Sequence, residues 1–261
     1  MIPLKIGIAL ASLRQPLSKA LITAARLGAA AVEIDARADL RPDELSQTGL
    51  RQLRKLLDDH HLRVAAVAYP TRRGYEVAER IEARVAGTKE AMKLAYSLGA
   101  SVVVNHVGQI PADSEGPEWT QLLSVLSDLG RYGHHVGAHL AAQTGAESGA
   151  DLARLIAALP AGAIGVDLDP GQLLVNGHSP LDAIDAVGSQ ILHVHATDGV
   201  RDTARGRGTE VPLGRGLVEY PDLLGRLEEH NYRGYLTIFR QGADDPVVEI
   251  GAAVQYLKNL F

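Results

Sequence analysis

Short apolar runs alternate with longer segments whose apolar positions recur at helical spacing, and the alternation continues along the whole chain. It predicts a strand at residues 5–10, then a helix at 16–27 stopped by Gly28. A strand at 31–34 ends in Glu33 and Asp35, and the helix at 46–60 carries Leu50, Leu53, Leu56 and Leu57 on one face. A strand at 62–68, a helix at 76–98 stopped by Gly99, and a strand at 101–105 ending in Asn105 and His106 follow. The second half keeps the rhythm: helix 119–130, strand 136–142 leaving at Gln143, helix 150–159 ended by Pro160. Two short runs, 164–169 and 191–195, flank an amphipathic helix at 180–187, which reads as strand, crossover helix, parallel strand. A glycine- and arginine-rich loop occupies 201–216. Helix 221–230, strand 235–239 and helix 246–260 close the chain, with Asp245 as N-cap, Pro246 at the first helical position, and Phe261 ending the last apolar stripe.

About eight strand–helix pairs with no linker between them predict one domain over residues 1–261, a closed (β/α)8 barrel. The alternative, a doubly wound open sheet, normally has a glycine-rich turn after its first strand. Ala9-Leu10-Ala11-Ser12 is not that turn. In a barrel, the residues at the carboxyl ends of the strands build the site. Here those exits carry Glu33 and Asp35, Tyr69, Asn105 and His106, Gln143, Asp169 with Gln172, His195 with Asp198, and Phe239 with Arg240. So many polar exits favour a small-molecule pocket, because buried polar groups cost stability unless paired. Asp169 and His195 end neighbouring strands and suggest a divalent-metal site. An Asp capping the next turn beside a satisfied core imidazole accounts for them equally well.

Composition narrows the classes. Apolar residues make up 46% of the chain and aromatic ones only 4%, so Ala, Val, Leu and Ile carry the packing. A net charge of −5 leaves no general nucleic-acid footprint. With no cysteine, disulfides, thiolate zinc sites and cysteine nucleophiles are excluded. No signal-peptide pattern precedes the first strand and no apolar run is long enough to span a bilayer, so the expectation is a soluble, cytoplasmic protein.

Several motifs occur together and in order. They are Leu140-Ala-Ala-Gln143-Thr-Gly-Ala-Glu147, Asp169-Pro-Gly-Gln172, His193-Val-His195-Ala-Thr-Asp198-Gly-Val-Arg201, Val211-Pro-Leu-Gly-Arg-Gly216 and Tyr232-Arg-Gly-Tyr-Leu-Thr-Ile-Phe-Arg240. This set resembles the xylose isomerase-like TIM-barrel superfamily of sugar phosphate isomerases and epimerases. The resemblance implies one Mn²⁺ or Mg²⁺ ion held by a Glu, an Asp, a His and a second Glu, the two glutamates also moving the substrate proton. Carried over, the Asp is Asp169 and the His is His195, while the glutamate positions hold Gln143 and Phe239. The implied metal set is thus Asp169, His195 and Gln143, with an ion weakly held or absent, since an amide and a phenyl ring supply neither charge nor a general base. Arg201, His106, Gln172 and Arg240 are the implied ligand-binding residues. Glu147, Asp198 and Asp167 are the carboxylates near enough in sequence to compensate, and Arg72 with Arg73 could face the same pocket.

Two functions stay open: an isomerase, epimerase or dehydratase with an incomplete or rearranged metal site, and a non-catalytic descendant that binds a sugar or polyhydroxy acid or serves as a subunit or partner. Gln143 and Phe239 speak for the second, and Asp169, His195 and Arg201 for the first. A related class, the three-metal endonucleases of abasic DNA, needs ligands after strand seven where this chain reads Arg205-Gly-Arg207-Gly. Expected partners are a small sugar-like ligand and a possible second copy in a homodimer, with no nucleic acid and no membrane.

Overall fold

The apolar runs pair side by side in parallel and close on themselves. The computed structural model describes residues 5–201 and 207–260. Its barrel strands are β1 (Ile6–Ala9), β2 (Ala31–Asp35), β3 (Arg63–Ala68), β4 (Val102–Asn105), β5 (His139–Gln143), β6 (Gly165–Leu168), β7 (Ile191–Ala196) and β10 (Leu236–Ile238). They follow one another around the ring, and β10 closes onto β1 with Ile238 opposite Ile8. Between β7 and β10 a two-stranded antiparallel hairpin, β8 (Asp198–Val200) and β9 (Thr209–Val211), stands apart from the barrel.

The helices are α1 (Leu17–Leu27), α2 (Gln47–Asp59), α3 (Ile81–Ser97), α4 (Pro117–Val136), α5 (Gly149–Ala158), α6 (Pro170–Val175), α7 (Pro180–Val187), α8 (Tyr220–Glu229) and α9 (Pro246–Lys258). Each lays an apolar stripe on the strands, as Leu50, Leu53 and Leu57 do for α2, so the main core lies between strands and helices. A second, smaller cluster, Ala66, Val102, Val104 and Ala141, is built of small side chains from β3, β4 and β5. On the opposite side, β2, β6, β7 and β10 contribute Glu33, Asp167, His193, His195 and Thr237, all buried. The barrel is therefore apolar on one side and polar on the other.

The single closed barrel agrees with the sequence expectation, while several boundaries differ from it. The helix expected at 76–98 starts only at Ile81, because Arg80 is left-handed (φ 55°) and the Arg84 guanidinium takes the carbonyls of Val77 and Glu79. The helix expected to stop at Gly130 runs six residues further, to Val136. Gly130 is not a stop: a Cβ there would lie 2.5 Å from the Ala163 carbonyl oxygen, so the glycine lets α4 approach the chain entering β6. The true stop is Gly137, at φ 87°. The helix α6 follows Asp169 directly where only a turn was expected, and β9 lies within the stretch read as a loop, pairing with β8 just before it. Arg205 and Phe261 lie outside the described residues.

Candidate functional site

The polar side of the barrel is one hydrogen-bonded chain. Thr237 Oγ1 pairs with His193 Nε2 at 2.8 Å, and His193 Nδ1 donates to Asp167 Oδ1 at 2.8 Å. Asp167 Oδ2 accepts from His195 Nδ1 at 2.7 Å, and His195 Nε2 donates to Glu33 Oε2 at 2.9 Å. β2 and β7 are not neighbours in the ring, so the last bond crosses the barrel interior. Two local features make room for it. The strand register shifts between Val32 and Glu33 and again between Val166 and Asp167, an irregularity of the kind that re-aims side chains, and here it falls at each carboxylate flanking His195. Gly7, on the neighbouring β1, leaves the space a Cβ would take 2.7 Å from Thr237 Oγ1.

Burial alone would lower the His195 pKa, but Asp167 and Glu33 outweigh it and hold the imidazole well above its ordinary value of 6.5. Asp167 moves the other way: burial pushes its carboxyl up, and the two histidines pull it well below the usual carboxylate range. His195 thus lies between two carboxylates that favour its charged form, and with Glu33 it lines an open cavity of about 280 Å³. Glu33, His195, Gln143 and Asn105 line that cavity with His106, Phe239 and Arg240. His106 is open to the cavity, yet the protein around it lowers its pKa, more than the charge of Asp167 restores. The His195 and Phe239 rings lie 5.0 Å apart, centroid to centroid. Arg240 is held from both ends, by Glu210 of β9 at 2.9 Å and Glu249 of α9 at 3.0 Å, and its backbone N–H donates to Ser12 Oγ at 2.9 Å.

Of the residues singled out from sequence, His195, Gln143, His106 and Arg240 come together around this cavity; Asp169, Gln172 and Arg201 lie outside its lining. Asp169 caps α6. Its Oδ1 accepts from the Gln172 N–H at 3.0 Å and from the Thr197 hydroxyl, and its Oδ2 accepts from Gln143 Nε2 at 3.1 Å. Burial pushes its carboxyl up to about 6, against the pull of His195. Arg201 reaches the Gly177 carbonyl at 3.4 Å. Asp198 anchors the following loop by accepting the backbone N–H groups of Gly214, Gly216 and Val218. Arg72 and Arg73 face a separate cleft. The bond from Glu33 to His195 was not legible in the sequence, since 162 positions separate the two residues; the one available signal was a carboxylate ending β2.

Among the described residues, Glu33, His193 and His195 form one group whose donor atoms lie within 4.8 Å of one another, close enough to hold an ion. Every ring nitrogen in it already has a protein partner, as do both oxygens of Asp167. No buried polar side-chain atom of the group is left unpaired. An ion would enter only by displacing these hydrogen bonds.

The family profile described as xylose isomerase-like TIM barrel matches residues 21–260. The chain belongs to that family. Solved structures share the fold. A xylose isomerase domain protein from Planctomyces limnophilus is 24% identical with a TM-score of 0.87, covering 98% of this chain and 97% of its own. A D-tagatose 3-epimerase-like protein is 20% identical with a TM-score of 0.80 and 98% of each chain covered. A xylose isomerase-like TIM barrel protein from Mycobacterium smegmatis, in complex with magnesium, is 19% identical with a TM-score of 0.79, covering 99% of this chain and 96% of its own. No curated protein matches the chain in sequence.

Proposed function

We propose that this barrel binds a small polyhydroxylated ligand, a sugar or polyhydroxy acid, in the cavity at the carboxyl ends of its strands, without the family's metal-dependent proton transfer. The observation that carries the reading is the cavity's lining. Glu33 accepts hydroxyl hydrogens, Asn105 and Gln143 both accept and donate, and the pinned Arg240 donates, while Phe239 offers an apolar face. At about 280 Å³ the cavity is small against the roughly 300–1,000 Å³ of most ligand pockets, which suits a monosaccharide-sized molecule. The His195 cation holds the Glu33 carboxylate in place, so ligand hydroxyls meet a preorganised acceptor. Gln143 and Phe239 stand where the family resemblance puts proton-moving glutamates, and neither side chain can accept a proton from carbon.

The test is calorimetric titration of ketoses and aldonates in chelator. The expected result is saturable binding by at least one, weakened about tenfold or more by Glu33→Gln. Binding that appears only after a divalent ion is added would overturn the reading. A second reading, an active isomerase or epimerase with a rearranged metal site, draws on the proximity of Glu33, His193 and His195. It predicts ion-dependent exchange of substrate hydrogen with solvent.

A further inference from the structure

Away from the barrel cavity, a cleft of about 390 Å³ opens between the β3–α3 loop, the start of α3 and the segment after β2. Five arginines, Arg37, Arg72, Arg73, Arg80 and Arg84, line it with a single acidic residue, Glu79. On a chain of net charge −5, such a concentration of one sign is a local feature.

Three of the five are fixed by the protein. Arg37 stacks over the Tyr69 ring, 5.5 Å from its centroid, and donates to the Pro70 carbonyl at 3.0 Å. Tyr69 itself rests on α3 at Gly87, where a Cβ would meet its hydroxyl oxygen. A glycine inside a helix costs about 1 kcal/mol relative to alanine, so this position gives up helix stability to seat the tyrosine. Arg84 takes the carbonyls of Glu79 and Val77, and its Nε, a buried charged donor, has no hydrogen-bond partner. Arg73 pairs with Glu79. Arg72 and Arg80 make no ion pair among the described residues.

We propose that this cleft is a binding site for a doubly charged tetrahedral anion, the phosphate group of a small phosphorylated molecule, distinct from the barrel cavity and independent of the ligand assigned to it. Guanidinium forks donate in pairs to phosphate oxygens, and a dianion relieves the mutual repulsion of five cations that one carboxylate leaves uncompensated. The site also touches the cavity wall, because Thr71, in the cleft lining, donates from Oγ1 to Asn105 Oδ1 at 3.1 Å.

The experiment is titration of inorganic phosphate and of glycerol phosphate, in chloride buffer, into the whole protein. Three variants are compared: the pair Arg72→Gln with Arg80→Asn, the single Arg37→Gln, and Arg51→Gln on α2 outside the cleft. Arg72 and Arg80 are exposed, and asparagine suits the left-handed backbone at position 80, so the pair keeps the fold; cooperative thermal unfolding checks this. The expected result is saturable binding of both probes, reduced about tenfold or more in the pair and in Arg37→Gln, and unchanged in Arg51→Gln. No saturation in the wild type, equal affinity in the cleft variants, or an equal loss in Arg51→Gln overturns the proposal.

Discussion

His195 has a carboxylate on each ring nitrogen, Asp167 on Nδ1 and Glu33 on Nε2. Removing one partner of a buried pair leaves the other uncompensated, so Asp167→Asn should cost roughly 3–5 kcal/mol in urea unfolding. A loss below about 1 kcal/mol would mean the chain of bonds contributes little. The pH dependence has a definite sign. The folded His195 pKa lies well above 6.5, so its contribution is full below 6.5 and is lost as pH rises through the folded value. Asp167, depressed from 3.8, contributes fully above 3.8 and loses this as pH falls through its folded value. The stability gap between wild type and His195→Gln should therefore narrow as the pH is raised above 6.5, measured by unfolding at a series of alkaline pH values. A gap that widens there contradicts the assignment.

At the scale of elements, glycine decides where helices end and what they approach. Gly130 sits against the Ala163 backbone, with the nearest atoms 2.5–2.9 Å from where a Cβ would stand. Gly130→Val should cost on the order of 1–3 kcal/mol by overpacking, seen as a lower urea midpoint, whereas a wild-type midpoint would show that α4 is free to move. The strand order was legible in the chain because apolar runs of strand length, separated by helical stripes, leave few topologies. The α4 boundary was not legible, since a packing glycine and a stop glycine look alike in sequence. The same limit applies to the site. Polar strand exits could be read one at a time, so Gln143, His195 and Arg240 were found at the mouth. Asp169 could be read either as a ligand or as a cap, and its Oδ1 does accept the Gln172 N–H at the start of α6. Which carboxylate meets His195 depended on two register shifts that leave no trace in the residue pattern.

At the scale of the molecule, the barrel encloses an imidazole and the carboxylates that favour its charged form, beside a small cavity with mixed donors and acceptors. Restoring the family pattern should reverse this. The double variant Gln143→Glu with Phe239→Glu is expected to bind Mn²⁺ far better than either single change, because ligand charge acts as a set. Folding must be checked first, since a carboxylate replaces a phenyl ring beside His195. On the proposed reading, the imidazoles and carboxylates of the barrel mouth bond to one another in place of an ion. Titrating Mn²⁺ calorimetrically into chelator-treated wild-type protein at neutral pH tests it most directly. No stoichiometric heat of binding is expected in the micromolar range; a tight one-to-one site, lost in Glu33→Gln or His195→Gln, would overturn the proposed reading.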